Sequence, residues 1–280
     1  MDMPQVLPPE LAGPFREKVF TFYLRNCRSF PWRETRDRYA VMVSEVMLQQ
    51  TQAARVVPKF TAWMERFPDP AALASASLRE VLAFWRGLGY KARGQRLQAC
   101  ARMVMACYGG VVHGNPEELK RLPGIGDYTS RSIPVFADNL DVAAIDTNIR
   151  RIIIHEFSLP HDSPKQRILA AAEQLLPQGR SRDWHNALMD YGALFLTSRA
   201  TGIRPLTKQS KFHGSRRWYR GRVLRELVGS GQVFLDDLEA KYGDCPWGLH
   251  DIIGGLVREG LVDDAGRADG GERVLRIRDR

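Results

Sequence analysis

LPGIGDYTS, residues 122–130, decides how the rest of the chain is read. Apolar residues recur at three- and four-residue steps on either side, so two helices meet at this turn. Neither Gly124 nor Gly126 carries a Cβ, which lets the backbone N–H groups of the turn approach a phosphate closely. LPGIG between helical segments is the hairpin of a helix-hairpin-helix, a clamp that grips phosphate whatever the base sequence. The alternative is an ordinary helix–helix turn.

Working outward, the helical pattern holds to about residue 200. It runs through PFREKVFTFYLRNC (14–27), YAVMVSEVMLQQTQAARVVPKFTAWMERF (39–67), SLREVLAFWRGL (77–88) and ARGQRLQACARMVMACYG (92–109). Pro and Gly punctuate it, as at Phe67-Pro68-Asp69-Pro70 and Tyr108-Gly109-Gly110. Two more helices are predicted from Lys165 to Leu196, broken near Pro177-Gln178-Gly179. The start, MDMPQVLPPELAGP, reads as a loose leader over 1–14 and not as a signal peptide.

After Phe212 the character changes. SRRWYRGRVLRELVGSG, FLDDLEAKYG and GLHDIIGGLVREG read as three helices. LVDD and RVLRIR then alternate like two strands around a turn at Ala265–Gly271. Three helices and a β-ribbon describe a winged helix-turn-helix, with a boundary near 212.

Composition narrows the partner. The 280 residues carry a net charge of +9, from 8 Lys and 33 Arg against 32 acids, and no apolar run has membrane-spanning length. Excess Arg suits bidentate phosphate contacts. Residues 212–280 hold 12 basic and 12 acidic residues, so the excess lies in the helical part. The first helix of the C-terminal module is crowded with Arg216, Arg217, Arg220, Arg222 and Arg225, while its would-be recognition helix offers little beyond His250 and Arg258. That module therefore reads either DNA or a protein. The four cysteines, Cys27, Cys100, Cys107 and Cys245, show no metal-type spacing.

Two acids stand out. Asp146 opens a helix in AAIDTNIRRII (143–153), where the plain reading is an N-cap. Glu45 lies among Val41, Val43, Val46, Met47 and Leu48, so it either faces solvent or is buried. Burial would raise its pKa and keep it protonated near neutral pH.

Taken together, PWR (31–33), SEVMLQQTQ (44–52), GLGYKAR (87–93), LPGIGDYTS, AIDTNIRR and ALMDYGAL (187–194) appear in the order found in helix-hairpin-helix DNA glycosylases. The resemblance is strongest to MutY-type adenine glycosylases and covers roughly residues 15–212. It implies a mainly α, two-lobed helical fold. Residues 15–32 with 146–211 would form one lobe, 33–145 a six-helix lobe with the hairpin, and 212–280 the winged-helix-like α+β module.

The same resemblance implies a role for each matched residue. Glu45 is the general acid that protonates the leaving purine at N7 and then activates water. Asp146 stabilises the oxocarbenium sugar, and Asn148 and Tyr128 match further active-site positions. This is the two-carboxylate logic of glycoside cleavage, one acid held neutral and one ionised. Lyase-competent relatives such as endonuclease III carry a Schiff-base Lys where Tyr128 stands, so a monofunctional enzyme is implied. The base must leave the duplex to be reached. Gln50 would fill the gap, with Gln49 and Thr51 beside it, and Leu88 would wedge near the opposite base unless it is core. Arg33 and Asp190 match positions lining an adenine pocket. Leu122, Gly124, Ile125, Gly126 and Thr129 belong to the phosphate clamp, where the family leaves room for a monovalent cation. The implied partner is double-stranded DNA bearing a mismatch or lesion, bound by a cytoplasmic, nucleoid-associated monomer with no membrane association.

The chain departs from the family twice. Most MutY-type enzymes hold a [4Fe–4S] cluster on Cys-x6-Cys-x2-Cys-x5-Cys after the ALMD-type helix. Here Leu196, Ile203, Leu206 and Phe212 occupy those positions, and none can ligate iron. No cluster is expected, and all four side chains should point inward to a shared apolar cluster. Residues 212–280 are also too short for the Nudix-like domain that recognises 8-oxoguanine. Thymine or uracil glycosylases acting opposite guanine share the scaffold and often a Tyr at position 128, and a modified or damaged base is a further option, although QQT leans toward adenine. A non-catalytic DNA-binding protein is the remaining alternative, and it would have no use for both Glu45 and Asp146.

Overall fold

The computed structural model describes residues 6–203, 211–267 and 272–278. The fold is mainly α-helical. The helices of the first part are α1 (Ala12–Asn26), α2 (Pro31–Glu34), α3 (Arg38–Leu48), α4 (Ala53–Arg66), α5 (Pro70–Ser75), α6 (Leu78–Phe84) and α7 (Ala92–Tyr108). They are followed by α8 (Pro116–Lys120), α9 (Asp127–Asp138), α10 (Thr147–Glu156), α11 (Lys165–Gln174), α12 (Ser181–Leu194) and α13 (Ser198–Thr201). The last part holds α14 (Arg216–Ser230), β1 (Gln232–Phe234), α15 (Leu235–Tyr242), α16 (Leu249–Arg258), β2 (Val262–Arg267) and β3 (Arg273–Ile277).

Local chemistry sets these bounds. Proline opens α2, α5 and α8, where its missing N–H costs nothing. Asp37 accepts from the N–H groups of Tyr39 and Ala40 at 3.0 and 3.2 Å, which caps α3. Gly109 and Asn139, at φ +59° and +58°, end α7 and α9 in the left-handed conformation.

By packing, the chain divides into two units, Met1–Glu45 with Val112–Lys208, and Val46–Val111 with Gln209–Arg280. This division runs differently from segments parted at 33, 146 and 212. In the first unit the core gathers Phe15 and Val19 of α1, Ile149, Ile152 and Ile153 of α10, and Trp184, Leu188 and Tyr191 of α12. Phe15 meets Trp184 edge-on at 5.7 Å. Each such side chain stabilises the fold by roughly 1.5–3 kcal/mol through burial.

In the second unit, Leu78 and Leu82 of α6 share a core with Val223, Leu224 and Leu227 of α14 and Ile252 and Leu256 of α16. The segment from 212 onward therefore packs with α6 as one body. Its sheet is antiparallel in the order β1-β3-β2, with Val233 opposite Leu275 and Val262 opposite Ile277. Strand β1 leaves no signal in the sequence, because three residues between helices carry no readable alternation. β2 runs through Arg267, so part of the expected Ala265–Gly271 turn is strand, and 268–271 lie outside the described residues.

Of the four positions replacing cluster cysteines, Leu196 and Ile203 are buried in the first unit's core at 5% and 4% exposure. Leu206 lies outside the described residues. Phe212 corrects the expectation: it is 58% exposed. It stands in the turn before α14, where its carbonyl accepts from the Ser215 hydroxyl at 2.6 Å while the ring projects to solvent.

Candidate active site

The first unit brings Glu45 and Tyr128 together by hydrogen bonds, and Asp146 and Asn148 likewise, with the charge of Asp146 felt at both Glu45 and Tyr128. Glu45 lies three residues before the end of α3 and is 7% exposed, so the buried alternative holds. The Ser132 hydroxyl, fully buried, donates to Glu45 Oε2 at 2.6 Å, and Tyr128 bonds to the same carboxyl group. Burial pushes the Glu45 pKa up to about 6, the charge of Asp146 adds to the rise, and the hydroxyls of Ser132 and Tyr128 restrain it. Burial also raises the Tyr128 phenol well above its ordinary range, so it stays neutral.

Asp146 is the N-cap of α10, as its position predicts. Its Oδ1 accepts from the Ile149 N–H at 2.7 Å and its Oδ2 from Asn148 Nδ2 at 2.8 Å. Burial still carries its pKa above the ordinary value, although these bonds and the charge of Arg151 pull it down. Glu45 and Ser132 are closed to solvent, whereas Tyr128, Asp146 and Asn148 are half-buried or more open. The phenol, the carboxylate and the amide are thus the half-buried members of the cluster.

Two members, Ser132 and Arg151, are given no role by the sequence motifs. Ser132 stands one helical turn after Tyr128, a spacing that places both side chains on one face of α9 and could have signalled it. Arg151, 7% exposed, donates to Asn148 Oδ1 at 2.9 Å, the Gly192 carbonyl at 2.9 Å and the Leu196 carbonyl at 2.7 Å. It ties the Asp146 helix to the end of α12 and the loop beyond. A Cβ at Gly192 would stand 3.0 Å from Ile152 Cδ1 and 3.3 Å from Asn148 Cβ, so the glycine of ALMDYGAL permits this close approach.

Arg33 and Asp190 also meet in the first unit. Arg33 Nη1 and Nη2 donate to Asp190 Oδ2 and Oδ1, both at 2.8 Å, and Arg28 Nε adds a third bond at 2.7 Å. Asp190 is fully buried, and despite that burial the two guanidinium groups hold its pKa below the ordinary value. Sequence reasoning missed Arg28.

The hairpin between α8 and α9 turns its apolar side chains inward. Leu122, Ile125 and Thr129 are buried at 3%, 6% and 3%, Gly124 adopts φ +82°, and Gly126 caps α9 with extended backbone. Gly124 and Gly126 are exposed, which leaves their backbone open to solvent. Asp127, first in α9, is bound by Lys120 at 2.6 Å and by Lys165, and these bonds lower its pKa to about 2.

The second unit holds the remaining candidates. Gln50 takes φ +55° just past α3. The Thr51 hydroxyl donates to the Leu88 carbonyl at 3.2 Å. Arg93 donates to the carbonyls of Val46 at 2.6 Å and Leu88 at 2.8 Å, which caps α3 and anchors both loops. The Leu88 side chain is 3% exposed.

None of the apolar residues at 196, 203 and 212 offers an iron-sulfur cluster a donor, so the chain does not fit that group. Among the described residues no group of three or more His, Cys, Asp or Glu is placed to hold a metal ion. No helix among them is long and apolar enough to cross a membrane.

The profile of the HhH-GPD superfamily of base excision DNA repair proteins matches residues 43–178, which include Glu45, the hairpin and Asp146. Over 275 residues the chain is 33% identical to the adenine DNA glycosylase of Mycolicibacterium smegmatis, covering 90% of this chain and 93% of that protein. The chain belongs to the HhH-GPD superfamily. This superfamily member is also 37% identical over 233 residues to the human adenine DNA glycosylase, across 78% of its own length. It spans only 42% of that human protein. A solved thermostable thymine-DNA glycosylase superposes with a TM-score of 0.63 at 28% identity, over 68% of this chain and 89% of that one.

Proposed function

We propose that the protein is a monofunctional DNA glycosylase of base excision repair that removes adenine opposite 8-oxoguanine or guanine. The observation that carries the reading is a pair of carboxyl groups, both raised in pKa by burial, with different partners, hydroxyls at Glu45 and N–H donors with a guanidinium charge at Asp146. Glu45 is buried, and that burial lets it keep its proton up to about pH 6. Asp146 is held by three groups that favour its anion. In the proposed reaction Glu45 gives its proton to N7 of the flipped adenine. The C1′–N9 bond then breaks with its electron pair going to the base, and the cationic sugar faces the Asp146 carboxylate. Water adds at C1′, returns a proton to Glu45 and leaves adenine and an abasic site. Tyr128 has no amine with which to form a Schiff base, which supports hydrolysis without strand cleavage.

In the same reading the hairpin backbone holds phosphate, and Gln50 and Leu88 act beside the flipped nucleotide. Leu88 is buried in the free protein, so this role requires it to emerge on binding. Arg33 and Asp190 shape the base pocket through their closed ion pair. The enzyme works as a monomer without a resident cofactor, its loop after α12 held by Arg151 and apolar packing. The order helix, strand, helix, helix, strand, strand supports a winged helix at the C-terminus. Similarity to a thymine-DNA glycosylase keeps excision of thymine opposite guanine as the second reading.

Duplexes bearing A:8-oxoG, A:G, T:G and U:G, incubated with enzyme and then treated with alkali, test the proposal. Strand breaks at adenine and only after alkali are expected. Cleavage of T:G or U:G without either adenine duplex would sink it. A subtler test is Ser132→Ala, which removes a donor that restrains the Glu45 pKa. The alkaline limb of the single-turnover pH profile should move to higher pH. An unmoved limb would mean that Ser132 does not tune the acid.

A further inference from the structure

The five arginines of α14 separate by what they meet. Arg220 pairs with Glu259 at 2.5 Å, Arg222 lies over the Trp218 ring at 4.4 Å, and Arg216 donates to the Asp251 carbonyl at 3.4 Å. Arg217, two turns before Arg225, meets the loop that carries Leu88. Arg217 donates to the Tyr90 hydroxyl, and its guanidinium lies 5.3 Å from that ring's centre. Arg225 lies on α14 between Arg217, which reaches Tyr90, and Val228 and Gly229, whose carbonyls bind Arg79 of α6, so it shares that surface with Arg86 and Lys91. Burial, then the charges of Arg225 and Arg86, pull the Lys91 ammonium down to about 8. Lys59 reaches the same loop, its Cε 3.7 Å from where a Cβ on Gly87 would stand.

Among the described residues, no carboxylate forms an ion pair with Lys59, Arg86, Lys91 or Arg225. Cations gathered without acids repel one another, and an external anion relieves that repulsion. Helix α6, just before Arg86, and α14, which carries Arg225, are packed together. Leu78 and Leu82 share a core with Val223 and Leu227, and Arg79 donates to the carbonyls of Val228 and Gly229, both at 2.9 Å. By contrast, the early turn of α16 carries Asp251, and His250 is turned to Glu239 at 3.1 Å.

We propose that Arg86, Lys91 and Arg225 form a contact for the phosphate backbone, by which α14 rather than α16 joins the C-terminal module to the duplex beside the Leu88 loop. This contact rests on the proposed DNA glycosylase function. The test is binding of an undamaged duplex by anisotropy across a KCl series, with Arg86→Gln/Arg225→Gln and Arg258→Gln compared to wild type. Arg86 and Arg225 are both exposed, so the double variant should melt as wild type does. Each lost phosphate contact lowers the slope of log K against log salt by about 0.9, so the double variant should lose about 2. Arg258→Gln should leave the slope alone. An unchanged slope in the double variant overturns the proposal, as does a loss reproduced by Arg258→Gln alone. If wild type still excises mispaired adenine in that event, the functional reading stands and only this contact falls. Failure of wild type to bind any duplex overturns both.

Discussion

Glu45→Gln is expected to abolish excision while making the protein harder to unfold at neutral pH. A general acid contributes roughly 10²–10⁴ in rate, and an amide has no proton to give, so single-turnover excision should fall by about that factor. Stability should move the other way. The Glu45 pKa rises from 4.5 to about 6 on folding, chiefly through burial. Below pH 4.5 the acid is neutral in both states and contributes no difference. Between 4.5 and 6 the unfolded chain ionises first, so wild type loses stability as pH rises. Above 6 the full loss of about 2 kcal/mol remains. The amide escapes this loss and keeps an oxygen to accept from Ser132. Urea unfolding at pH 4.5 and 7.5 measures it: the variant should gain on wild type only at the higher pH. Equal destabilisation at both would mean that burial does not raise the Glu45 pKa. The same titration governs activity, and excision by wild type should decline as pH rises through about 6.

That opposition between activity and stability was half legible in the sequence. An acid among valines in VMVSEVML announces either burial or a solvent-facing turn, and only the packing decides between them. The hairpin was readable because glycine and proline punctuate locally, and Asp146 because an N-cap is a local motif. Ser132 and Arg151 were less so. Their partners lie 87 and 45 residues away at Glu45 and Leu196, and no local pattern encodes such a bond. Phe212 shows the converse limit. A spacing matched to a family's metal site says where that family's ligands stand, whereas an apolar side chain at the same position packs wherever the turn directs it. The division by packing was hidden for a similar reason, since Leu78 and Leu82 look like ordinary positions on an amphipathic helix until the C-terminal helices cover them.

The second large effect belongs to Asp146→Asn, which should lower excision by about 10³-fold and leave binding of an undamaged duplex near wild type. The hydrogen bonds around Asp146 run in one direction. Arg151 Nη2 donates to Asn148 Oδ1, which fixes Asn148 Nδ2 as the atom that donates to Asp146 Oδ2. The Ile149 N–H occupies Oδ1. Both carboxylate oxygens are therefore met by donors, and only a group that accepts at both positions fits. An asparagine that satisfies Ile149 turns its own Nδ2 toward the Nδ2 of Asn148. If Asn148 flips to relieve this, its amide nitrogen faces the Arg151 guanidinium instead. The charge is lost, and the geometry that would aim it at C1′ is lost with it. The buried carboxyl was itself unfavourable, its pKa raised on folding, so removing the charge offsets part of the lost cap. Melting temperature should change less than activity by a wide margin. Single-turnover kinetics on the substrate found by the mismatch panel, with anisotropy on undamaged duplex, separate the two effects. Activity within tenfold of wild type would mean that no anion at 146 faces the cationic sugar, and a nucleophilic or electrostatic role for Asp146 would then be excluded.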